Sequence, residues 1–413
     1  MSAVFSVTEH ILPGQHIRGY PYGVKSEPAK LRLAIKEYRP LDNIDAAPGS
    51  VTIIAAHANG LVKETYEPLW DELHRAFPGK IRAIWIADVS NQGASGVLNE
   101  YIQGDDTNWF DHSRDLLRMV NHFEERMPRP IVGISHSIGT AHLVQLSLLH
   151  PRLFHGLALI ESIIQEGHTG NAPNVAGSSS LRRDLFPSRT AAEQSFRKNK
   201  FYQSWDSRAL DKYLEYGLRE TPTLLYPEAP NGSVTLTTTK HQEVWSFIRS
   251  NFISMPNDRQ ARLMSPDLSE ENRTYLFHRP EMAMTFESLP KVRPNVLWVF
   301  GGLSPLSPEK FQDEKVARTG TGVGGNGGVN AGSVEKVVVE DGGHMLPFEK
   351  IEKCAAILAS WLEKQMEDFE AVEKFYREHP SGRSERNMLA VSKLWLDNVR
   401  LEPRTKRSDK SKL

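Results

Sequence analysis

PIVGISHSIGTAHLVQLSLLH, residues 130–150, is the stretch of this sequence that decides the predicted fold. PIVGIS is a short apolar run typical of a buried strand, and AHLVQLSLLH is typical of a helix. Between them stands Ser137, with Ser135 where the usual Gly-x-Ser-x-Gly pattern has its first glycine. A strand, a tight turn of small residues and a helix form the context of a nucleophile elbow. We therefore predict that Ser137 is a nucleophile; the alternative is a strand–helix turn without chemistry.

Apolar runs that alternate with helical patterns surround this elbow. Helical patterns cover residues 66–77, 109–125 and 351–366. The predicted strands are residues 4–11, 31–38, 51–57, 81–88, 130–135, 157–161, 295–300 and 334–340. Strands that alternate with helices form a parallel sheet covered on both faces. We therefore predict the α/β class, with a mostly parallel eight-stranded sheet and helices on both of its faces.

The alternation stops after residue 164, and a polar stretch with amphipathic segments follows. We interpret residues 162–290 as an inserted helical cap or lid. The core is then discontinuous and comprises residues 1–161 and 291–367. Residues 368–413 are predicted to form a C-terminal helix and a flexible tail. A formal Gly-x-Gly-x-x-Gly pattern within residues 318–332 precedes a strand instead of opening a helix, so we interpret it as a surface loop.

Two backbone N–H groups are candidates for an oxyanion hole, the pair of donors that holds a developing negative charge. The predicted strand at 51–57 ends in His-Ala-Asn-Gly, and the N–H of Asn59 is the expected donor from this loop. The N–H of Leu61 is the alternative. The second donor is Ile138, because the residue after the nucleophile opens the helix and benefits from its dipole.

The general base and its acidic partner come from later strand ends. Gly-Gly-His at residues 342–344 precedes the last predicted helix, and the glycine-flanked His344 is the expected base. The usual acid position, after the strand at 295–300, holds Ser304. Glu161 instead ends the strand next to that of the nucleophile, so a carboxylate there can reach His344 and orient it. Glu309 is the alternative acid.

These motifs resemble the α/β-hydrolase superfamily over about residues 31–366. More narrowly, AAHANGLVKETYEPLWDEL, RAIWIADVSNQGASGVLNE and MPRPIVGISHSIG look like fungal peroxisomal hydrolases of secondary metabolism. That group includes the acyl-CoA hydrolase of mycophenolic acid biosynthesis and proteins of host-selective toxin clusters. The resemblance implies an α/β-hydrolase fold, a lid domain and a carboxylate after the sixth core strand, which falls on Glu161. This chain departs at Ser135 and Glu161, where those relatives carry Gly and Asp.

Composition excludes several other classes of protein. The 413 residues hold 50 Lys and Arg against 51 Asp and Glu, so net charge gives no basis for binding nucleic acid. Cys354 is the single cysteine, which excludes an internal disulfide and a Cys-rich zinc site. The histidines show no ligand spacing such as His-Glu-x-x-His, so we expect no metal and no cofactor. We expect no secretory signal and no transmembrane segment, because no apolar run approaches ~18 residues.

The tripeptide Ser411-Lys412-Leu413 has the form of a peroxisomal targeting signal, so we expect the import receptor as a partner and the matrix as the location. The function hypothesis is a peroxisomal serine hydrolase that cleaves an acyl-CoA thioester or related ester in fungal secondary metabolism or toxin biosynthesis. The alternatives are a lipase or carboxylesterase with the same Ser-His-Glu triad, and an inactive hydrolase-fold binding protein. The sequence leaves open whether the protein forms a homodimer.

Overall fold

The computed structural model describes residues 4–167, 172–379 and 383–399. Strands and helices alternate in its first part. The strands are β1 (Phe5–Pro13), β2 (Arg32–Pro40), β3 (Val51–Ala56), β4 (Ile81–Ala87), β5 (Ile131–His136) and β6 (Gly156–Ile160). The helices are α1 (Glu67–Ala76), α2 (Gly93–Leu98), α3 (Trp109–His122) and α4 (Ile138–Leu149).

The region between β6 and the next core strand holds helices and several very short strands. Its helices are α5 (Ala172–Leu181), α6 (Arg189–Lys198), α7 (Lys200–Gln203), α8 (Ser207–Tyr216), α9 (Lys240–Phe247), α10 (Asp258–Met264) and α11 (Pro280–Ser288). Its strands are β7 (Leu185–Phe186), β8 (Leu218–Glu220), β9 (Val234–Leu236), β10 (Arg249–Ser250) and β11 (Phe277–His278). Strands β7, β9 and β8 form a small antiparallel sheet, and β10 pairs with β11. The last helix, α11, packs against α4.

The chain then returns to the core. The elements are β12 (Asn295–Gly301), α12 (Glu309–Arg318), β13 (Val334–Val339), α13 (Leu346–Glu349) and α14 (Ile351–Glu378). A loop joins α12 to β13 and contains the glycine-rich stretch, as expected. Helices α15 (Glu385–Leu389) and α16 (Lys393–Asn398) follow. The described residues up to Met366 form one compact unit, and those from Glu367 form a second. None of the described helices is both long and apolar enough to cross a membrane.

One eight-stranded sheet organises the core, in the order β1-β2-β4-β3-β5-β6-β12-β13. The first two pairings, β1 with β2 and β2 with β4, are antiparallel, and all the others are parallel. Every residue of β3, β5 and β6 is buried, as expected for parallel strands that helices cover on both faces. The predicted mostly parallel eight-stranded sheet is therefore confirmed.

The two faces of the sheet support separate hydrophobic clusters. Alternate residues of β3 face opposite ways, so Ile53 packs with α1 and α14 while Ile54 packs with α3 and α4. The parallel strands β3, β5, β6, β12 and β13 point their carboxyl ends to one edge of the sheet. The loops that follow them at this edge hold the predicted site residues.

Candidate active site

Ser137 occupies the sharp turn between β5 and α4. Its φ of 57° and ψ of −118° are a strained backbone conformation for a residue with a side chain. Its N–H donates to the carbonyl of Ile160 at 3.0 Å, which ties the turn to β6. Gly139 lets α4 approach β3, because a Cβ there would lie 2.3 Å from the Ala56 carbonyl oxygen. Ser135 lies buried within β5, so serine fits where a glycine is usual.

Glu161 stands directly after β6, also at a positive φ, 50°. Its side chain is fully buried. Oε1 accepts a hydrogen bond from the N–H of Gly301 at 2.6 Å, and Oε2 accepts one from Ser307 Oγ at 3.3 Å. The last residue of β12 and a side chain of the loop that follows therefore orient the carboxylate. The alternative acid, Glu309, is exposed at the first turn of α12, and Ser304 is buried.

His344 joins the serine to the carboxylate. Its Nδ1 lies 2.9 Å from Glu161 Oε2, and its Nε2 lies 3.0 Å from Ser137 Oγ. The ring sits in the loop between β13 and α13, where the Gly343 N–H donates to the Glu349 carboxylate. The structure thus brings Ser137, His344 and Glu161 into one hydrogen-bonded chain, in the chain order serine, acid, histidine.

The loop after β3, residues 57–61, is the predicted oxyanion loop, and it presents one backbone N–H without an acceptor. The N–H of Gly60 donates to Gln92 Oε1 at 2.8 Å, and that of Leu61 donates to the Ala58 carbonyl at 3.3 Å. Within the described ranges, the N–H groups of Asn59 and Ile138 have no acceptor, and both residues line the same cavity as Ser137. The geometry therefore favours Asn59 over Leu61 as the donor from this loop.

Buried His57 shapes that loop. Its Nδ1–H donates to the Ala58 carbonyl at 2.8 Å, and its Nε2 accepts from the Val89 N–H at 3.0 Å. Burial lowers the pKa of His57, and this agrees with the neutral ring that one donated and one accepted bond require. The side chain therefore has a structural role.

A cavity of about 920 Å³ opens in front of Ser137. Most of its wall comes from the inserted region and from aromatic side chains: Trp109, Phe186, Phe196, Phe201, Tyr202, Tyr213 and Phe247. A volume of this size and an apolar lining are typical of a pocket for a drug-sized organic molecule. The inserted region therefore forms most of the chamber that a substrate would occupy.

One wall of the cavity is charged. Arg182 forms an ion pair with Glu243, which also accepts a hydrogen bond from Ser179 Oγ at 3.0 Å. Burial raises the pKa of Glu243, and the Arg182 guanidinium opposes that rise. The carboxylate lies against the oxyanion loop, because a Cβ at Gly60 would be 2.8 Å from Glu243 Cδ. Glu243 belongs to helix α9. The backbone of this helix also holds the loop, since Asn59 Nδ2 donates to the Glu243 carbonyl at 2.9 Å.

Two buried residues beside the site, Tyr66 and His136, are not predicted from the sequence to have a role. His136 is the variable position of the serine motif, and Tyr66 ends a helical turn before α1. Their side chains hydrogen-bond to each other at 2.9 Å. The only sequence signal is a histidine next to the nucleophile.

In the part of the chain that the structure describes, no group of three or more His, Cys, Asp or Glu side chains could hold a metal ion.

Comparison with known proteins agrees with this fold. The alpha/beta hydrolase family matches residues 53–357. The type I acyl-CoA thioesterase mpaH of Penicillium brevicompactum is 38% identical over 440 aligned residues, which cover 99% of each chain. The abhydrolase domain-containing protein AKT2 of Alternaria alternata is 29% identical, over 58% of this chain and 85% of that protein.

Among solved structures, the peroxisomal alpha-beta-hydrolase Lpx1 of Saccharomyces cerevisiae superposes with a TM-score of 0.65 at 16% identity, covering 93% of this chain and 100% of that one. At that identity the superposition supports the fold alone. The resemblance predicted from the sequence motifs is confirmed by the family match and by the full-length relative. Because the matched region exceeds half of the chain, this protein belongs to the alpha/beta hydrolase family, and it is a hydrolase.

Proposed function

We propose that this protein is a serine hydrolase that cleaves an acyl-CoA thioester. The observation that carries the proposal is the hydrogen-bonded chain Ser137–His344–Glu161, which faces a large apolar cavity beside the unpaired N–H groups of Asn59 and Ile138. Nucleophile, base and orienting acid lie within hydrogen-bond reach of one another, as acyl transfer through a serine requires.

The geometry suggests the following sequence of steps. Ser137 Oγ attacks the carbonyl carbon while His344 Nε2 takes its proton, and the N–H groups of Asn59 and Ile138 donate to the resulting oxyanion. The C–S bond then breaks, and His344 gives the proton to the departing thiolate. Water next attacks the acyl-serine with His344 as base, which releases a carboxylic acid and restores Ser137. Glu161 holds the ring and stabilises the imidazolium.

Three cations near the cavity support CoA as the leaving group. Arg183 lines the cavity, and Lys198 and Lys200 flank Asn199, which also lines it. All three side chains are exposed, and none has a carboxylate within 4.0 Å among the described residues. Unpaired cations of this kind attract phosphate groups, which CoA carries and simple esters lack. The thioesterase name of the Penicillium relative supports the same substrate class.

A substrate panel tests the proposal. Purified protein is given acyl-CoAs of differing acyl groups, with thiol release as the readout, beside p-nitrophenyl esters and a triglyceride. We expect turnover of at least one bulky acyl-CoA with the highest kcat/KM of the panel, and none by Ser137→Ala. A preference for the oxygen esters would instead favour a lipase or carboxylesterase. Absence of turnover of every compound would reject the enzyme proposal.

We further propose import into the peroxisome through Ser411, Lys412 and Leu413, which lie outside the described residues. The support is the tripeptide itself, which the import receptor recognises at a free carboxyl terminus. A fluorescent protein fused to the amino terminus should give punctate fluorescence, and deletion of the tripeptide should leave it in the cytosol. Unchanged puncta after the deletion would reject this address.

A role in fungal secondary metabolism or toxin biosynthesis is part of the same proposal. Its support is the full-length similarity to the Penicillium thioesterase. Such an enzyme would release a free carboxylic acid from its CoA ester, so disruption of the gene should make that CoA ester accumulate. An unchanged profile of acyl-CoAs in the disrupted strain would contradict this role.

A further inference from the structure

A chain of buried hydrogen bonds connects the three loops of the site behind the reacting groups. The Ala58 N–H donates to the Tyr66 hydroxyl at 2.9 Å, and that hydroxyl lies 2.9 Å from His136 Nδ1. His136 Nε2 lies 2.8 Å from the carbonyl oxygen of His344. Each of these distances is that of an ordinary hydrogen bond. The three anchoring points are separated widely in sequence and belong to the oxyanion loop, the nucleophile turn and the histidine loop.

The direction of every bond in this chain is fixed. A carbonyl oxygen can only accept, so His136 Nε2 carries the hydrogen that reaches His344. Nδ1 of a neutral ring is then an acceptor, and the Tyr66 hydroxyl donates to it while accepting from Ala58. Burial lowers the pKa of His136 to about 3, consistent with a neutral ring. Aligned donors of this kind polarise one another inside a protein.

One end of the chain sets the direction of the oxyanion donor. The Ala58 N–H is held by Tyr66, and the Ala58 carbonyl accepts from His57 Nδ1 at 2.8 Å. That carbonyl and the N–H of Asn59 belong to one planar trans peptide, so they point in opposite directions. Anchoring Ala58 on both sides therefore fixes the direction of the N–H of Asn59, a residue that lines the cavity.

The other end holds the general base. The backbone of His344 is anchored by His136, the residue covalently next to Ser137. Phe348 covers the chain, with its ring centroid 4.8 Å from that of Tyr66 and 5.7 Å from that of His136. Water is thereby kept from bonds whose loss would release both the base and the oxyanion donor.

We propose that Tyr66 and His136 are positioning residues that hold the Asn59 N–H and His344 in register around Ser137. This inference rests on the proposed serine-hydrolase function. Neither side chain hydrogen-bonds to Ser137 Oγ or to the ring nitrogens of His344, so both act through the residues they anchor. Because a misplacement of about 1 Å can cost roughly a hundred-fold in rate, loss of the chain should appear in kcat rather than in KM.

The test is Tyr66→Phe, with Tyr38→Phe as the matched control. Tyr38 is also buried, and its hydroxyl donates to Glu67 at 3.0 Å, a bond that is not part of the chain from Ala58 to His344. Rates are expressed per active site, counted by labelling with a fluorophosphonate. We expect Tyr66→Phe to lower kcat for an acyl-CoA by about ten- to a hundred-fold at nearly unchanged KM, and to slow fluorophosphonate labelling in parallel. Tyr38→Phe should keep the wild-type kcat.

Wild-type kcat in Tyr66→Phe, or an equal loss in Tyr38→Phe, would overturn the inference. If Tyr66→Phe does not fold, the comparison moves to His136→Gln and His136→Leu. Glutamine offers one acceptor and one donor and should retain the higher kcat; equal rates would overturn the inference. Failure of the proposed function is distinguishable, because a wild-type protein that labels but hydrolyses no acyl-CoA still allows the labelling rates to be compared.

Discussion

Ser137 and Glu161 share an unusual backbone conformation. They are two of only four described residues other than glycine with a positive φ, together with Ile17 and Ala46. Such a conformation costs about 1–3 kcal/mol per residue and persists where the surrounding structure enforces it. Here the Ser137 N–H is fixed to Ile160 and the Glu161 N–H is fixed to Val299 at 2.8 Å. Two of the four strained positions thus lie at the strand ends that present the proposed nucleophile and the proposed acid to His344.

The first prediction concerns the acid. Glu161→Gln keeps the size of the side chain but removes the charge that orients and stabilises the His344 ring, so kcat should fall by about 10³- to 10⁴-fold. The same substitution at exposed Glu309 is the control and should leave kcat unchanged. Steady-state kinetics on one acyl-CoA measure both. Loss of activity in Glu309→Gln with activity kept in Glu161→Gln would reverse the assignment.

At the scale of single residues, the sequence is informative where a motif has a fixed local context. Ser137 and His344 are predicted from the turns that surround them, and Glu161 from its place at a strand end. Tyr66 and His136 could not be predicted in this way. Their partners lie 70 and 208 residues away in sequence, and only the folded sheet brings those loops together.

At the scale of elements, the oxyanion loop and helix α9 are joined by polar contacts. Asn59 donates to the Glu243 carbonyl, while Gln92, which holds both Asn59 and Gly60, also donates to Ser246 Oγ at 3.2 Å. A displacement of α9 would therefore move Asn59, whose N–H is the predicted oxyanion donor. The inserted region contributes to the geometry of the oxyanion loop as well as to the cavity.

A matched pair of glycine substitutions tests this connection. Gly60 and Gly232 have φ of 78° and 81°, but a Cβ at Gly60 meets Glu243 whereas one at Gly232 meets nothing within 4 Å. Both alanine variants should lose about 1–2 kcal/mol of unfolding free energy from backbone strain. Gly60→Ala should also lower kcat, because the loop must shift away from Glu243. Equal kcat in the two variants would show that the contact does not matter.

Lys198 and Lys200, which flank the cavity residue Asn199, give a second prediction at this scale. The double variant Lys198→Ala/Lys200→Ala should raise KM for an acyl-CoA by about three- to ten-fold, the effect of losing two exposed charge contacts. The N-acetylcysteamine thioester of the same acid lacks phosphates, so its kcat/KM should not change. Lys310→Ala removes an exposed charge on α12 and is the control. Equal effects on both thioesters would exclude phosphate recognition by these lysines.

Long elements were predictable and very short ones were not. The apolar runs of β3, β5 and β12 and the periodic pattern of α14 give clear sequence signals, because a whole face of each element is buried. Strands β7 to β11 have only two or three residues, too few for a periodic pattern. They form because the insertion folds back on itself, which is a tertiary event.

At the scale of the whole molecule, four buried histidines stay neutral in the fold. Burial lowers the pKa of His57, His112, His136 and His142 below the usual value of 6.5. The unfolded chain therefore binds protons below pH 6.5 that the native protein does not bind, and stability falls as the pH falls. Above pH 6.5 both states are neutral at these positions, and the contribution to stability is constant.

His112 provides the prediction for this behaviour, because neither of its ring nitrogens has a hydrogen-bond partner among the described residues. Below pH 6.5, the His112→Leu variant should take up one proton fewer than wild type when it unfolds. Its free energy of unfolding relative to wild type should rise by about 1.4 kcal/mol for each pH unit below 6.5. Urea titrations at pH 7, 6 and 5 measure this difference. Met119→Leu, a buried substitution on the same helix, is the control, and a constant difference for His112→Leu would contradict the explanation.

The sheet and the inserted region contribute different parts of what the proposed chemistry requires. The sheet holds the proposed nucleophile, base and acid at one edge, and the insertion adds the apolar wall of the cavity above them. A substrate enclosed there meets oriented donors in place of water, which strengthens their effect on a developing charge. The fold alone would not select a reaction, because the same scaffold supports many. The choice rests on Ser137, His344, Glu161 and the two free N–H groups.

Trapping of the acyl-enzyme tests the central claim most directly. Wild-type protein is mixed with an acyl-CoA that it turns over, quenched in acid during turnover and mapped by peptide mass spectrometry. The account predicts an acyl group on the peptide that contains Ser137, with CoA thiol released in an amount equal to the acyl-enzyme plus the free acid formed. Ser137→Ala should carry no adduct and release no thiol. Turnover by Ser137→Ala, or an adduct on a different residue, would contradict the account.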